Sequence, residues 1–390
     1  MTIDIARARA DTPGCAHVLH FNNAGAALPP TAVIDAVGGH LHREAMIGGY
    51  EAAADALPLI ERAYDAVAML IGCARDEIAM VENATRAWDM AFYANAFRPG
   101  DRILIGQSEY ASNVIALLQV ANRTGARVEL VPDDEHGQID VDALAQMIDS
   151  RVRLIALTHL PSNNGLVNPA IAVGRVARHA GIPFLLDACQ SIGQMPVNVD
   201  EIGCDMLAAT GRKFLRAPRG TGFLYVRRTM LDRLDPPFLD QHAATLTGPL
   251  SYEIRHDARR FENWENFVAG RIGLGVAADY ALGWGLESIA RRITTLADAL
   301  RAQLAALAGV TVHDKGVVRS GIVTFSKATE DPAALQRRLR ASGINTSVAS
   351  TMNARFEMEP AALSSVLRAS VHYYNTEDEV ALFSSAVAGA

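Results

Sequence analysis

The sequence is poor in the features that mark several whole classes of protein. It has four cysteines in 390 residues, Cys15, Cys73, Cys189 and Cys204, with no CxxC pair and no histidine cluster at zinc-ligand spacing. A disulfide scaffold and a structural zinc module are excluded, no metal is expected, and the thiols read as free and buried. There is no long basic run: 36 Lys and Arg stand against 43 Asp and Glu, for a formal net charge of −7. A protein that follows a phosphate backbone needs the opposite balance, so nucleic acid is not expected as a partner. No apolar stretch reaches the about 18 residues of a membrane span, and the first fifteen residues carry acids and arginines instead of an apolar signal core. The expectation is a cytoplasmic protein that does not enter a membrane.

What is present is core-forming material. Half the residues are hydrophobic and 20% are charged, which argues against disorder. The chain exceeds the roughly 250 to 300 residues at which one core stops growing, so two domains are expected. Between about residues 60 and 230, helical stretches alternate with short apolar runs: DRILIG from 101, ARVELVP from 126, RLIALTHL from 153, IPFLLDA from 182 and GFLYV from 222. That rhythm predicts βαβ units, a mostly parallel sheet and an α/β fold. NVIALLQVANRTG and NPAIAVGRVARHAG read as helices, the second with Pro169 in its first turn and Gly181 just past its end. The rhythm breaks near 235–255, and a long helical pattern then runs from about Asn266 to Leu307, followed by the strand-like GIVTFS from 321. The spacing predicts a large domain over 21–250 and a smaller α+β domain made of 251–390, with residues 1–20 lying against it. No internal repeat is visible.

The chemistry concentrates between LLDACQ and TGRKF. An acid, Asp187, closes one apolar strand, and Lys213 follows a polar turn. In a parallel α/β sheet ligands sit beyond the carboxyl ends of the strands, where both residues emerge. A carboxylate there can pair with a protonated pyridine nitrogen, and a lysine amine can condense with an aldehyde, so the pair describes a pyridoxal phosphate (PLP) site. Taken singly, Asp187 reads as well as a helix cap and Lys213 as a solvated lysine. Gln190 just past the acid, Ala84-Thr85-Arg86 opening a helix, and Thr210 with Arg212 flanking the lysine give the constellation its weight. A helix N-terminus and a hydroxyl such as Thr85 suit a phosphate dianion, although Thr85 reads equally well as a cap. Tyr110 in QSEYASN can stack on a flat heteroaromatic ring or simply pack.

The chain resembles the class V aminotransferases and the cysteine desulfurase and selenocysteine lyase group, which are fold-type I PLP enzymes. The resemblance spans about residues 20–385 and is carried by FNNAG, ATRAW, SEYASN, THLPSNNGLVNP, DACQS, TGRKF, RRFENWENFVAGRIGLG and LRASVHYYNTEDEV, in that order. It implies that Lys213 is the Schiff-base lysine, that Asp187 faces the pyridine nitrogen, and that Gln190 and Asn163 face the phenolic oxygen. Ala84, Thr85, Arg86, Thr210 and Arg212 then cradle the phosphate, and Tyr110 takes the stacking place. Arg368 resembles the arginine that holds a substrate α-carboxylate, a task suited to a planar fork. Asn22 and His159 are further substrate-side candidates, each with a plainer reading as a turn residue and a satisfied near-core histidine. The resemblance also implies a homodimer.

The departures direct the functional expectation. Arg212 stands where desulfurases carry histidine, and Trp264-Glu265 stands where many relatives carry Gly-Thr. SVASTMNARFEMEP, from 347, contains no cysteine, and all four cysteines lie upstream of residue 205. A desulfurase needs a thiolate acceptor for sulfur. The expected activity is a PLP-dependent lyase that eliminates a β-substituent, including a sulfur-bearing one, from an amino acid. An aminotransferase or an epimerase shares the first proton removal and is the alternative; a non-catalytic PLP-binding protein is the third reading.

Overall fold

A computed structural model describes residues 2–352, 355–359 and 363–389, without the side chains of Phe356 and Glu357. Seven strands form the main sheet: β1 (Ile78–Val81), β2 (Arg102–Ile105), β3 (Arg127–Leu130), β4 (Val152–Thr158), β5 (Phe184–Asp187), β6 (Met206–Thr210) and β7 (Gly222–Val226). Their spatial order is β1-β7-β6-β5-β4-β2-β3. Strand β7 runs antiparallel to both its neighbours, and the remaining pairs are parallel. Every residue of β5, β6 and β7 is buried, as expected of strands covered on both faces. Alternate side chains still serve different cores: Leu154 and Ala156 of β4 join one apolar cluster, Ile155 and Leu157 the other.

The expected strands are all present. Strands β1 and β6 escaped the sequence reading because IAMV and MLAAT are short and alanine-bearing, and alanine is a weak strand signal. Helices α1 (Thr31–Ile47), α2 (Leu57–Ile71), α3 (Ala84–Tyr93), α4 (Ala111–Thr124) and α5 (Ala170–Ala180) flank or connect the strands. Gly181 ends α5 in left-handed backbone, φ 67°, as its position in the sequence predicts.

The long helix expected over about 266–307 is instead two helices, α6 (Val268–Trp284) and α7 (Leu286–Ala305), separated at Gly285 with φ 80°. Only glycine adopts that conformation without strain. Helix α6 packs on α1 and α2. Helix α7 packs on a smaller antiparallel sheet and on α8 (Glu377–Ala388). That sheet comprises β8 (Val310–Val312), β9 (Ile322–Lys327), β10 (Ser347–Ser350) and β11 (Ser365–Ser370), in the order β8-β9-β11-β10. Leu19–His20 pairs with Ile344–Asn345, which ties the amino-terminal segment to this unit. We propose on this packing that the chain passes between units at Gly285 rather than near residue 250.

Candidate functional site

Strands β4, β5 and β6 end side by side, with Thr158 in register with Asp187 and Asp187 in register with Ala208. A cavity of about 390 Å³ lies at these carboxyl ends. Ala84, Thr85, Tyr110, Asp187, Gln190, Thr210, Arg212 and Lys213 line it, so eight residues picked from sequence meet in one space. A second cavity of about 190 Å³ shares Tyr110, Gln190, Arg212 and Lys213 with the first and adds Asn163, Arg368 and Ser347 to Ala349 of β10. Residues 353, 354 and 360–362, in the cysteine-free segment that begins with β10 and just beyond it, lie outside the described residues. Arg355 is exposed and pairs with Glu359 at 3.1 Å.

Each side chain is placed by local chemistry. The Asn83 side chain caps α3 by accepting the Arg86 N–H at 2.9 Å, so the capping role open to Thr85 belongs to its neighbour. That leaves the Ala84-Thr85 end of the helix, with its partial positive charge, bordering the cavity. Asp187 accepts the Cys189 N–H at 2.9 Å on one oxygen and the Asn113 amide at 2.9 Å on the other, which fixes the plane of its carboxyl group. Gln190 donates to Ser162 Oγ at 3.0 Å and to the Ala24 carbonyl at 3.2 Å, while its own Oε1 is buried without a partner. Arg212 donates to the Gly25 carbonyl.

The charged groups are unevenly matched. Lys213 is 9% exposed, and burial lowers its proton affinity below that of an ordinary lysine, against the opposing pull of Cys189 and Asp187. Arg368 makes one hydrogen bond, to the Ser162 carbonyl at 3.2 Å, and its Nε is buried without a partner. Burial, then the neighbouring Arg212 charge, pushes its pKa down to about 10. No carboxylate pairs with it among the described residues. A half-buried guanidinium with its Nε unpartnered carries a desolvation cost that an anionic ligand can offset.

Three residues picked from sequence do not line either cavity. The Arg86 guanidinium lies over the Phe238 ring, 4.7 Å from its centre. His159 is buried with Nδ1 unpartnered, and desolvation alone pushes its pKa down to about 4, so the ring is neutral. Asn22 bridges to Ser370 with its Oδ1 buried and unpartnered. His372 is also structural: its Nε2 meets the Phe214 carbonyl at 2.9 Å and its Nδ1 accepts the Tyr373 N–H at 2.9 Å.

Sequence reasoning missed Asn113 and Glu109, although both lie in the SEYASN block. It also passed over a simple signal. The chain has three lysines, Lys213, Lys315 and Lys327, and Lys213 is the one that is buried.

The comparisons with known proteins agree with this geometry. The sequence pattern of the family described as Aminotransferase class-V matches residues 19–383. A protein of Xylella fastidiosa strain Temecula1 named "Probable cysteine desulfurase" is 30% identical over 98% of this chain and 95% of its own length. One of the same name from Methanothermobacter thermautotrophicus is 29% identical over 86% and 84%. The apo structure of a cysteine desulfurase from Thermococcus onnurineus NA1 superposes with a TM-score of 0.91 at 25% identity, covering 100% of this chain and 98% of that one. The cystine C–S lyase C-DES, solved with its product cysteine persulfide, shares the fold at a TM-score of 0.85 and 22% identity, covering 97% and 99%. With a family pattern that covers nearly its whole length and a mostly parallel sheet that carries the lysine and the acid at its strand ends, this chain belongs to the class V aminotransferases, a family of PLP-dependent enzymes.

Proposed function

We propose that this chain is a PLP-dependent lyase that eliminates a β-substituent, including one bonded through sulfur, from an amino acid. The observation that carries the reading is that Lys213 and Asp187 line one cavity, beside a half-buried Arg368 that has no acid of its own among the described residues. The residues fit the cofactor: the α3 N-terminus, Thr210 and Arg212 for phosphate, Asp187 for the ring nitrogen, the free Gln190 Oε1 for a protonated ring substituent, and Lys213 for the aldehyde. When bound, PLP supplies an electron sink in conjugation with the substrate Cα.

The protein's part is to bind, orient and move protons. Arg368 holds the substrate carboxylate with a two-pronged fork. Lys213, its proton affinity lowered by burial, is placed to take a proton from Cα. Tyr110, 41% exposed and lining both cavities, covers the face of the ring. Elimination is favoured over sulfur transfer to an enzyme thiol by where the thiols are. No cysteine follows Cys204 in the sequence, and the Cys189 thiol at the site is pushed up to about 12 by burial and by Asp187.

A homodimer and a cytoplasmic location belong to the same proposal. The dimer is supported by apolar side chains left exposed along one stretch of helices, Ile34, Leu41, Met46, Tyr50, Leu57 and Leu59. Light scattering on the purified protein tests it, a mass of one chain being the contrary result. The activity is tested by incubating the PLP-loaded protein with S-substituted cysteines and measuring 2-oxo acid and ammonia. Formation of both in equal amounts is expected, and a panel that yields neither product overturns the reading.

A further inference from the structure

Behind the cofactor-facing acid lies a second carboxyl that no step above uses. Glu109 is 6% exposed, and both its oxygens are held by one residue: Oε1 accepts the Thr158 N–H at 2.7 Å and Oε2 accepts the Thr158 hydroxyl at 2.7 Å. Thr158 is the residue in register with Asp187 across β4 and β5. One turn on from Glu109, Asn113 donates to Asp187 at 2.9 Å and also bears on Glu109 as a donor. The two carboxyls are thus joined twice, through a backbone register and through one amide. No cation pairs with Glu109 among the described residues, and the charge that bears on it is that of Asp187, opposed by the neutral donors Thr158 and Asn113.

We propose that Glu109 is a positioning residue whose charge, felt by Asp187 through Asn113 and the Thr158 register, sets how tightly Asp187 holds the protonated ring nitrogen of the cofactor. The inference rests on the PLP reading above. Burial, with the Asp187 charge adding to it, raises Glu109 to about 7, so it changes charge in the range in which enzymes work. The sign follows directly. When Glu109 is neutral, Asp187 acts alone. When Glu109 is ionised, a second negative charge in a low-dielectric site strengthens the hold on the ring proton. Cofactor affinity therefore rises with pH through the Glu109 ionisation, over and above whatever Lys213 contributes.

The test is the PLP dissociation constant of the full chain between pH 5.5 and 8.5, measured by equilibrium dialysis. Wild type is compared with Glu109→Gln, which mimics the neutral acid. The two agree within about twofold at the acid end and diverge to about tenfold at the alkaline end, with wild type the tighter. Lys213 is common to both and cancels in the ratio. A ratio that stays constant across the range overturns the proposal, since a merely structural defect weakens binding at every pH alike. If Glu109→Gln does not fold, Thr158→Val decides. Loss of a donor to the ionised carboxyl moves the inflection upward by roughly one pH unit, and an unmoved inflection overturns the proposal. A wild-type chain that takes up no PLP at any pH removes the functional reading as well, which separates the two failures.

Discussion

Buried and half-buried cations in this molecule are of two kinds, those held by acids and carbonyls within the fold and those left open at the cavity. On the core side, the Arg301 guanidinium donates to Asp314 at 2.7 Å, to Asp298 at 3.1 Å and to the carbonyls of Ser320 and Ile322 at 2.6 and 2.9 Å. Lys327 likewise donates to the carbonyls of Val387 and Ala388, at 2.7 and 3.1 Å, with Glu330 nearby. At the cavity, Arg368 has one carbonyl and Lys213 has no hydrogen bond or ion pair among the described residues. A satisfied buried charge holds a fold together. An unsatisfied one costs stability and persists where a ligand completes it.

The sharpest way to break the comparison is at Lys213. Lys213→Ala lowers turnover by about a thousandfold or more, because a positioned general base contributes on that scale. Borohydride treatment of the PLP-loaded wild type followed by peptide mapping labels this lysine and leaves Lys315 and Lys327 unlabelled. A label on Lys327, whose ammonium is held by two carbonyls, contradicts the distinction between paired and unpaired cations.

Arg368→Leu is expected to lower kcat/KM by about two orders of magnitude, the scale of removing one member of a desolvated charge pair. PLP uptake stays as in wild type. Thermal stability is unchanged or higher, because the variant removes a half-buried charge that no acid compensates. A loss of stability would show that the guanidinium is already satisfied in the free protein. Arg301→Met is the mirror experiment. It strands Asp314, so chemical denaturation should reveal a loss of roughly 3–5 kcal/mol, with kcat/KM close to wild type below the unfolding transition.

How far the sequence foresees all this depends on the length of the signal. Strands with continuous branched-chain runs, such as RLIALTHL, are legible because their burial on both faces is written in composition. Asp187 and Lys213 are legible because each closes or follows such a run. Glu109 and Asn113 are not, since a carboxyl and an amide near a helix start read as capping residues until Thr158 and Asp187 are brought beside them from other strands. His159 and Arg86 show the converse: their types suit the chemistry, yet neighbouring packing turns one ring into the interior and lays the other over Phe238. The break at Gly285 was hidden because the apolar pattern continues through it on both sides.

The smallest expected effect concerns the thiols and extends the comparison to uncharged groups. Cys189 lines the cavity and Cys204 lies in the core, yet burial pushes both thiols up to about 12. The thiol at the site is therefore kept in the same protonated state as one with no access to substrate, and a protonated thiol is a poor nucleophile. What Cys189 gives the site is its backbone N–H, which holds Asp187 at 2.9 Å and survives any side-chain change. Cys189→Ala is accordingly expected to keep turnover within about a factor of two, measured as 2-oxo acid released from S-substituted cysteines. A loss of a hundredfold would place a thiolate in the reaction and would move the chemistry from elimination toward sulfur transfer.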